Sequence, residues 1–123
     1  MFNLISTVFI LVVIFFHFYF LILEMFLWTK PFGLKVFKQT KEQAESSKVL
    51  AANQGLYNGF LAAGLIWGLI YPQLEVAIQI KSFFLTCIVI AGIYGALTVN
   101  KRILFFQAIP ALVPLLILFF FNS

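Results

Sequence analysis

Residues 53–68, which read NQGLYNGFLAAGLIWG, give the clearest indication of how this chain folds. It is apolar enough to lie in a bilayer, although its first half carries two asparagines, a glutamine and a tyrosine. On a helix of about 3.6 residues per turn, three of these four polar side chains share one face: Gln54, Tyr57 and Asn58. Small residues four positions apart, Gly55 and Gly59, form a neighbouring ridge that lets membrane helices approach closely. The stretch therefore predicts a membrane helix with a polar face beside a smooth packing ridge.

The composition extends this interpretation to the whole chain. Of the 123 residues, 63% are hydrophobic, 17 are phenylalanine and 10% are charged. A soluble domain of this size has too little interior to bury so much apolar surface. Four segments reach the length of about 20 helical residues that crosses a bilayer: 2–28, 49–71, 82–99 and 103–121. We therefore predict one all-α integral membrane domain over residues 1–123, a four-helix antiparallel transmembrane bundle.

The basic residues predict how this bundle is oriented. Seven of the eight Lys and Arg residues lie between the first and second segments or between the third and fourth, and Lys81 is the exception. Loops rich in Lys and Arg stay on the cytoplasmic side, so both termini are expected outside the cell membrane. The net charge of +4 then reflects topology and gives no reason to expect a nucleic-acid partner.

The first loop mixes lysines and glutamates with apolar side chains over residues 32–47. This pattern predicts a short interfacial helix on the cytoplasmic surface, with Ser46 or Ser47 capping the second span. Its lysines would attract anionic lipid by about 1 kcal/mol each. The alternative is a solvated connector that only sets the orientation of the protein.

Polar side chains from every segment fall at one depth. Counting about 1.5 Å per helical residue puts them roughly 5 to 12 Å from the lysine-rich membrane edge, with His17 slightly deeper: Glu24, Gln54, Tyr57, Asn58, Tyr94 and Gln107. Ionisable groups at such depths usually face a bundle interior or a watery cavity. The layer predicts a polar crevice, open to the cytoplasm, as a candidate ligand-binding site.

These side chains also have a structural interpretation. Glu24 is near enough to the interface to reach water or to pair with Lys30. A neutral His17 bonded to a hydroxyl or amide is commoner than a functional histidine. The amide side chains are suited to hydrogen bonds between helices, each worth about 0.6 kcal/mol.

A second set of small residues lies in the third segment: Ala91, Gly92 and Gly95. Together with the first ridge it predicts close packing of the second and third spans, with homodimerisation as the alternative. In the last segment, Pro110 and Pro114 remove backbone donors, which predicts a bent helix.

The sequence lacks the patterns that catalysis and metal binding usually require. One histidine and one distant glutamate do not supply the roughly three protein ligands of a zinc site, so no metal and no cofactor are expected. No nucleophile elbow or phosphate loop occurs. His17 and Glu24 lie about 10 Å apart along one helix face, so an acid–base pair would need a substrate between them.

Three blocks of the sequence together resemble one known pattern: LEM at residues 23–25, NQGLYNGFLA at residues 53–62 and AGIYGA at residues 91–96. They are similar to the small membrane family catalogued as domain of unknown function thirteen-oh-four (DUF1304). The resemblance covers nearly the whole chain and implies a four-span protein of about this length. It implies no established activity, cofactor or substrate.

Three functions fit these features. The first is a non-catalytic membrane component that affects envelope integrity or holds a partner. The second is a binder or carrier of a small polar or amphiphilic ligand, with Glu24 supplying charge. The third is an intramembrane isomerase or lipid-modifying enzyme that uses Glu24 and His17. The small size and the missing motifs favour the first.

Overall fold

The computed structural model describes residues 1–122, with the backbone alone for Phe2, and this part of the chain is all helical. Its helices are α1 (Phe2–Met25), α2 (Pro31–Phe37), α3 (Lys41–Ile70), α4 (Leu74–Thr98) and α5 (Ile109–Phe121), with a π-helical turn at Leu104–Ala108. Three stretches are long and apolar enough to cross a membrane by length and composition: Asn3–Met25, Leu74–Thr98 and Leu104–Phe121. The all-α class is confirmed, and the chain has helices of the kind that membrane proteins use.

Helix α3 begins earlier than predicted and carries charged residues in its first turns. The Gln43 N–H donates to Thr40 Oγ1 at 3.1 Å, and the Thr40 N–H donates to Gln43 Oε1 at 2.9 Å. This reciprocal pair is a capping box, which satisfies backbone donors at the start of a helix. The prediction that Ser46 or Ser47 caps the helix is wrong, because both lie inside it and donate to the Gln43 carbonyl. The predicted interfacial segment is therefore split between α2 and the start of α3.

The described chain forms two compact units. One, named here the loop unit, comprises residues 17–60; the other, the core unit, comprises residues 1–16 and residues from 61 onward. Aliphatic side chains that are almost fully buried form the centre of the core unit: Ile10, Leu65, Leu85, Ile88 and Leu118. They come from α1, α3, α4 and α5, so one apolar cluster holds parts of all four long helices together.

Glycines make the closest helix contacts in the core unit. A Cβ added to Gly92 would lie 2.7 Å from the Ala108 backbone nitrogen, so α4 meets the π-helical turn at backbone level. Helices α3 and α4 meet at Gly64 and Gly68. The second and third predicted spans pack closely, but Gly64 and Gly68 make this contact, and not the two predicted ridges. In the second predicted ridge, Gly92 and Gly95 face the last helical segment instead, and Ala91 is exposed, so its predicted packing role is wrong.

The last helical segment changes its hydrogen-bond register before Pro110. The Ile109 N–H donates to the Leu104 carbonyl, five residues back, where an α-helix would use the carbonyl four residues back. Pro110 has no N–H and crowds the preceding turn, and a π-helical turn is one way for a helix to absorb such a break. The disturbance expected from the prolines is thus a change of helix type at Leu104–Ala108.

Candidate functional site

Glu24 lies at the end of α1 and is only 4% exposed. The Gln54 Nε2 donates to Glu24 Oε2 at 2.7 Å, and the Asn58 Nδ2 donates to Glu24 Oε1 at 2.6 Å. Each carboxyl oxygen therefore has its own amide donor, as buried polar groups generally require. We name these three residues the Glu24 clamp.

The sequence of α3 explains how the clamp forms. Gln54 and Asn58 are four residues apart, so their side chains lie one turn apart on the same face. A Cβ added to Gly55, between them, would lie 3.0 Å from the Glu24 Cβ and 3.2 Å from the Leu21 carbonyl oxygen. Because glycine lets the two helices approach this closely, the short Asn58 side chain reaches the carboxyl group.

The packing ridge of α3 is the surface that contacts α1 within the loop unit. Gly55 lies against Met25, Glu24 and the backbone of Leu21, and Gly59 lies against the Leu21 side chain. Glu24 is bonded to amides and not to a lysine. Lys30 is exposed, and the ion pair found within residues 1–122 joins Lys48 Nζ to Glu45 Oε2 at 3.0 Å.

An open cleft of about 350 Å³ lies beside the clamp, and we name it the Trp28 cleft. It is lined by residues from the end of α1 and from the third and fourth turns of α3: Glu24, Met25, Phe26, Trp28, Thr29, Lys48, Val49 and Ala52. Its walls thus combine an acidic group, a basic group, a hydroxyl and apolar surface. Such a mixture suits a small molecule that carries both polar and apolar parts.

Trp28 connects the clamp region to α2. Its indole Nε1 donates to Ser47 Oγ at 3.1 Å, and its ring centroid lies 4.7 Å from that of Phe37. Gly33 sits directly on the Leu27 carbonyl, where no Cβ would fit. Sequence reasoning missed these contacts, although Thr40-Lys41-Glu42-Gln43 carries the T-x-x-Q signature that shifts the start of α3 and places Ser47 inside it.

The remaining predicted site residues are placed outside the clamp. Tyr57 and Tyr94 are 56% and 69% exposed, so neither forms the wall of an enclosed crevice. Gln107 is half-buried in the π-helical turn, within the core unit. The structure therefore brings together three of the seven predicted residues.

His17 is 3% exposed and lies on α1 two turns before Glu24. Seven residues correspond to about 10 Å of helix, so the two side chains are on the same buried side of α1 but do not touch. Within residues 1–122 no group of three or more His, Cys, Asp or Glu side chains is arranged to hold a metal ion.

The sequence that forms the clamp is similar to that of known proteins. The profile of a family described as protein of unknown function (DUF1304) matches residues 11–119, which include the whole clamp. The chain is also similar to Uncharacterized protein YpaA of Lactococcus lactis subsp. lactis (strain IL1403). Identity is 35% over 105 residues, which cover 84% of this chain and 87% of that protein. No solved structure matches the chain.

Proposed function

This chain belongs to the family described as protein of unknown function (DUF1304), and we propose that it is a non-catalytic integral membrane protein of the cell envelope. The Glu24 clamp carries the proposal. Both carboxyl oxygens are occupied by amides from α3, which is the arrangement expected of a residue that holds two helices together. A general acid or base would instead need to reach a proton of its substrate.

We also propose four spans. Helix α3 crosses the membrane in addition to the three stretches named above, and both termini lie outside the cell membrane. Helix α3 has 30 residues, about 45 Å at 1.5 Å per residue, which exceeds a hydrocarbon core of about 30 Å. Its apolar part, residues 49–70, can cross the bilayer while the charged first turns remain in water. The Lys and Arg bias of the loops supports a cytoplasmic location for residues 30–48.

The surface of the loop unit supports contact with anionic lipid. Phe32 and Val36 are 50% and 38% exposed on one face of α2, and Lys35 and Lys38 are exposed beside them. Exposed apolar side chains next to lysines are typical of a segment that lies in the membrane interface. The bilayer is then the main partner of the protein.

Replacing the whole clamp by apolar residues tests the proposed function. In the triple variant Glu24→Leu, Gln54→Leu, Asn58→Leu, all partners are removed together, which can be nearly neutral for stability. We expect membrane abundance close to wild type and full complementation of a deletion strain, measured as survival in detergent. Asn53→Leu, an exposed change on the same helix, is the control. An abundant triple variant that fails to complement would show that the clamp has a chemical role.

Binding of a small amphiphilic ligand is the second candidate function, and the Trp28 cleft favours it. Glu24, Lys48 and Trp28 line the same cleft, together with apolar side chains. A ligand with an ammonium or phosphate group and a short apolar part would match these walls.

A substitution that fills the Trp28 cleft but leaves the Glu24 clamp unchanged distinguishes ligand binding from a purely structural role. Ala52→Leu adds side-chain volume at the cleft wall, whereas Ala63→Leu makes the same change at an exposed position of α3. Thermal-shift screening in detergent with short-chain phospholipids and alkyl amines should give stabilisation in the Ala63→Leu protein and none in Ala52→Leu. If these compounds stabilise both variants equally, or stabilise neither, the Trp28 cleft does not bind such a ligand.

A further inference from the structure

Lys81 is a buried lysine in the core unit that the proposed function does not use. It is 5% exposed and lies at the start of the third turn of α4. A Cβ added to Gly68 would lie 2.5 Å from the Lys81 Cγ and 3.2 Å from its backbone nitrogen. The absence of a side chain at Gly68 therefore leaves room for the lysine stem between α3 and α4.

The direction of the Lys81 ammonium group follows from the position of Lys81 relative to the apolar cluster at the centre of the core unit. Lys81 is one turn before Leu85, and Ser6, which is fully buried, is one turn before Ile10. Since Ile10 and Leu85 belong to the same cluster, both polar residues lie at the same end of it. Helical side chains point toward the N-terminus of their helix, so the Lys81 stem runs from the cluster toward the end of the core unit formed by the 70–74 connection.

No residue in the described part of the chain provides an anion for this ammonium group. The ion pair found there joins Lys48 to Glu45, and Lys81 donates no hydrogen bond to residues 1–122. Glu75, six residues earlier in α4, is exposed and on another face of the helix. The Lys81 nitrogen is not among the fully enclosed polar atoms without a partner, so it reaches the surface at the end of its buried stem.

We propose that Lys81 is the cationic contact of a site for a phosphate group at this end of the core unit. An ammonium group at the surface of a membrane protein attracts anionic groups, and lysine binds phosphate as a point charge. In a bilayer the phosphates of lipid headgroups lie at the depth to which a lysine near a helix end extends its ammonium group. The same chemistry would accept inorganic phosphate from solution.

Lipid retention by charge-matched variants tests the proposal. Wild type, Lys81→Met, Lys81→Arg and the exposed-site control Lys101→Met are purified with phosphatidylglycerol, and bound lipid is counted by native mass spectrometry. We expect Lys81→Met to retain about five-fold less of the most tightly bound lipid, with Lys81→Arg and Lys101→Met near wild type. Equal retention by Lys81→Met and wild type would overturn the proposal for a lipid phosphate.

Amine acylation of the wild-type protein gives a test that no folding defect can obscure. Phosphatidylglycerol should slow acylation of Lys81 relative to Lys101, whereas diacylglycerol, which lacks the phosphate, should not. Protection by inorganic phosphate in lipid-free detergent would identify a solution anion as the source. If neither phosphatidylglycerol nor phosphate protects Lys81, its ammonium group is simply solvated and the site does not exist.

Discussion

Two buried side chains of opposite charge are accommodated in different ways. Glu24 has both oxygens bonded to amides of the same chain, whereas Lys81 has its stem packed on Gly68 and its nitrogen at the surface. The difference follows from side-chain length. A glutamate near the end of a helix reaches only the facing helix, while a lysine can extend along it to the interface.

Removal of the Glu24 carboxyl group should destabilise the protein by about 1 to 2 kcal/mol, because two amides lose their acceptor. Glu24→Ala should show this full loss, measured by unfolding in detergent. Glu24→Gln should lose less, since one of the two amides can turn its oxygen toward the new donor. Glu75→Ala, at an exposed position, serves as the control. If Glu24→Ala were as stable as wild type, the Glu24 clamp would not stabilise the protein.

The sequence predicted that Glu24, Gln54 and Asn58 lie close together. Their spacing puts Gln54 and Asn58 on one helix face, and all three fall at the same depth in the membrane. It could not predict the exposure of Tyr57 and Tyr94. Tyr57 shares a face with Gln54 by spacing, yet it is 56% exposed. How much of a helix face is buried depends on the width and tilt of the neighbouring helix. The spacing of residues within one segment gives no information about either.

At the level of elements, the connection between α1 and α3 is held by specific local contacts. The Thr40–Gln43 capping box starts α3, and Trp28 bonds to Ser47 in its second turn. The Trp28–Ser47 bond holds the turn after α1 against α3, and the ring contact between Trp28 and Phe37 holds α2 beside that turn. The sequence signal for the capping box is present, but the charged residues before position 48 also fit a separate interfacial helix, because the apolar run of the second span begins only at Val49.

Loss of the cap should loosen the start of α3 without affecting the rest of the protein. Thr40→Ala is expected to cost about 1 kcal/mol of local helix stability. Hydrogen exchange should show faster amide exchange in the first turn of α3 and unchanged rates around Leu85. Ser46→Ala removes a hydroxyl from the same helix but no cap, and should leave the exchange rates as they are. If the two variants behave alike, the cap is not what starts α3.

Gly33 should be intolerant of even a single methyl group, because a Cβ there would overlap the Leu27 carbonyl. In a Trp67→Phe background, which leaves Trp28 as the single tryptophan, Gly33→Ala should displace α2 and shift the Trp28 emission to the red. Gly95→Ala is the matched control, since its Cβ would lie 3.2 Å from the Ile103 side chain and would not overlap backbone. An unchanged spectrum in Gly33→Ala would mean that α2 packs differently.

For the whole molecule, composition predicted the all-helical membrane class, and it did so because apolar surface of this amount cannot be hidden in a small globule. Which helices touch was less predictable. Glycines at positions 92 and 95 give a ridge, but several partners fit a ridge, and the observed partner is the last segment. Sequence spacing describes a surface and does not specify what covers it.

The proposed topology can be measured with single cysteines in a Cys87→Ser background. A membrane-impermeant maleimide applied to whole cells should label Gln73→Cys and Asn122→Cys. It should leave Lys38→Cys and Asn100→Cys unlabelled until the cells are permeabilised, because both basic loops are expected in the cytoplasm. The reverse pattern would invert the orientation, and different labelling of positions 73 and 122 would rule out four spans.

The unbroken length of α3 has a mechanical consequence. From Lys41 to Asn58 the helix continues without a proline, so its water-exposed beginning and the clamp are parts of one stiff rod about 25 Å long. A protein or lipid that pulls on the lysines near Thr40 would shift the clamp amides as well. A displacement at the start of α3 would thus be transmitted along the helix to the Glu24 carboxyl group within the loop unit.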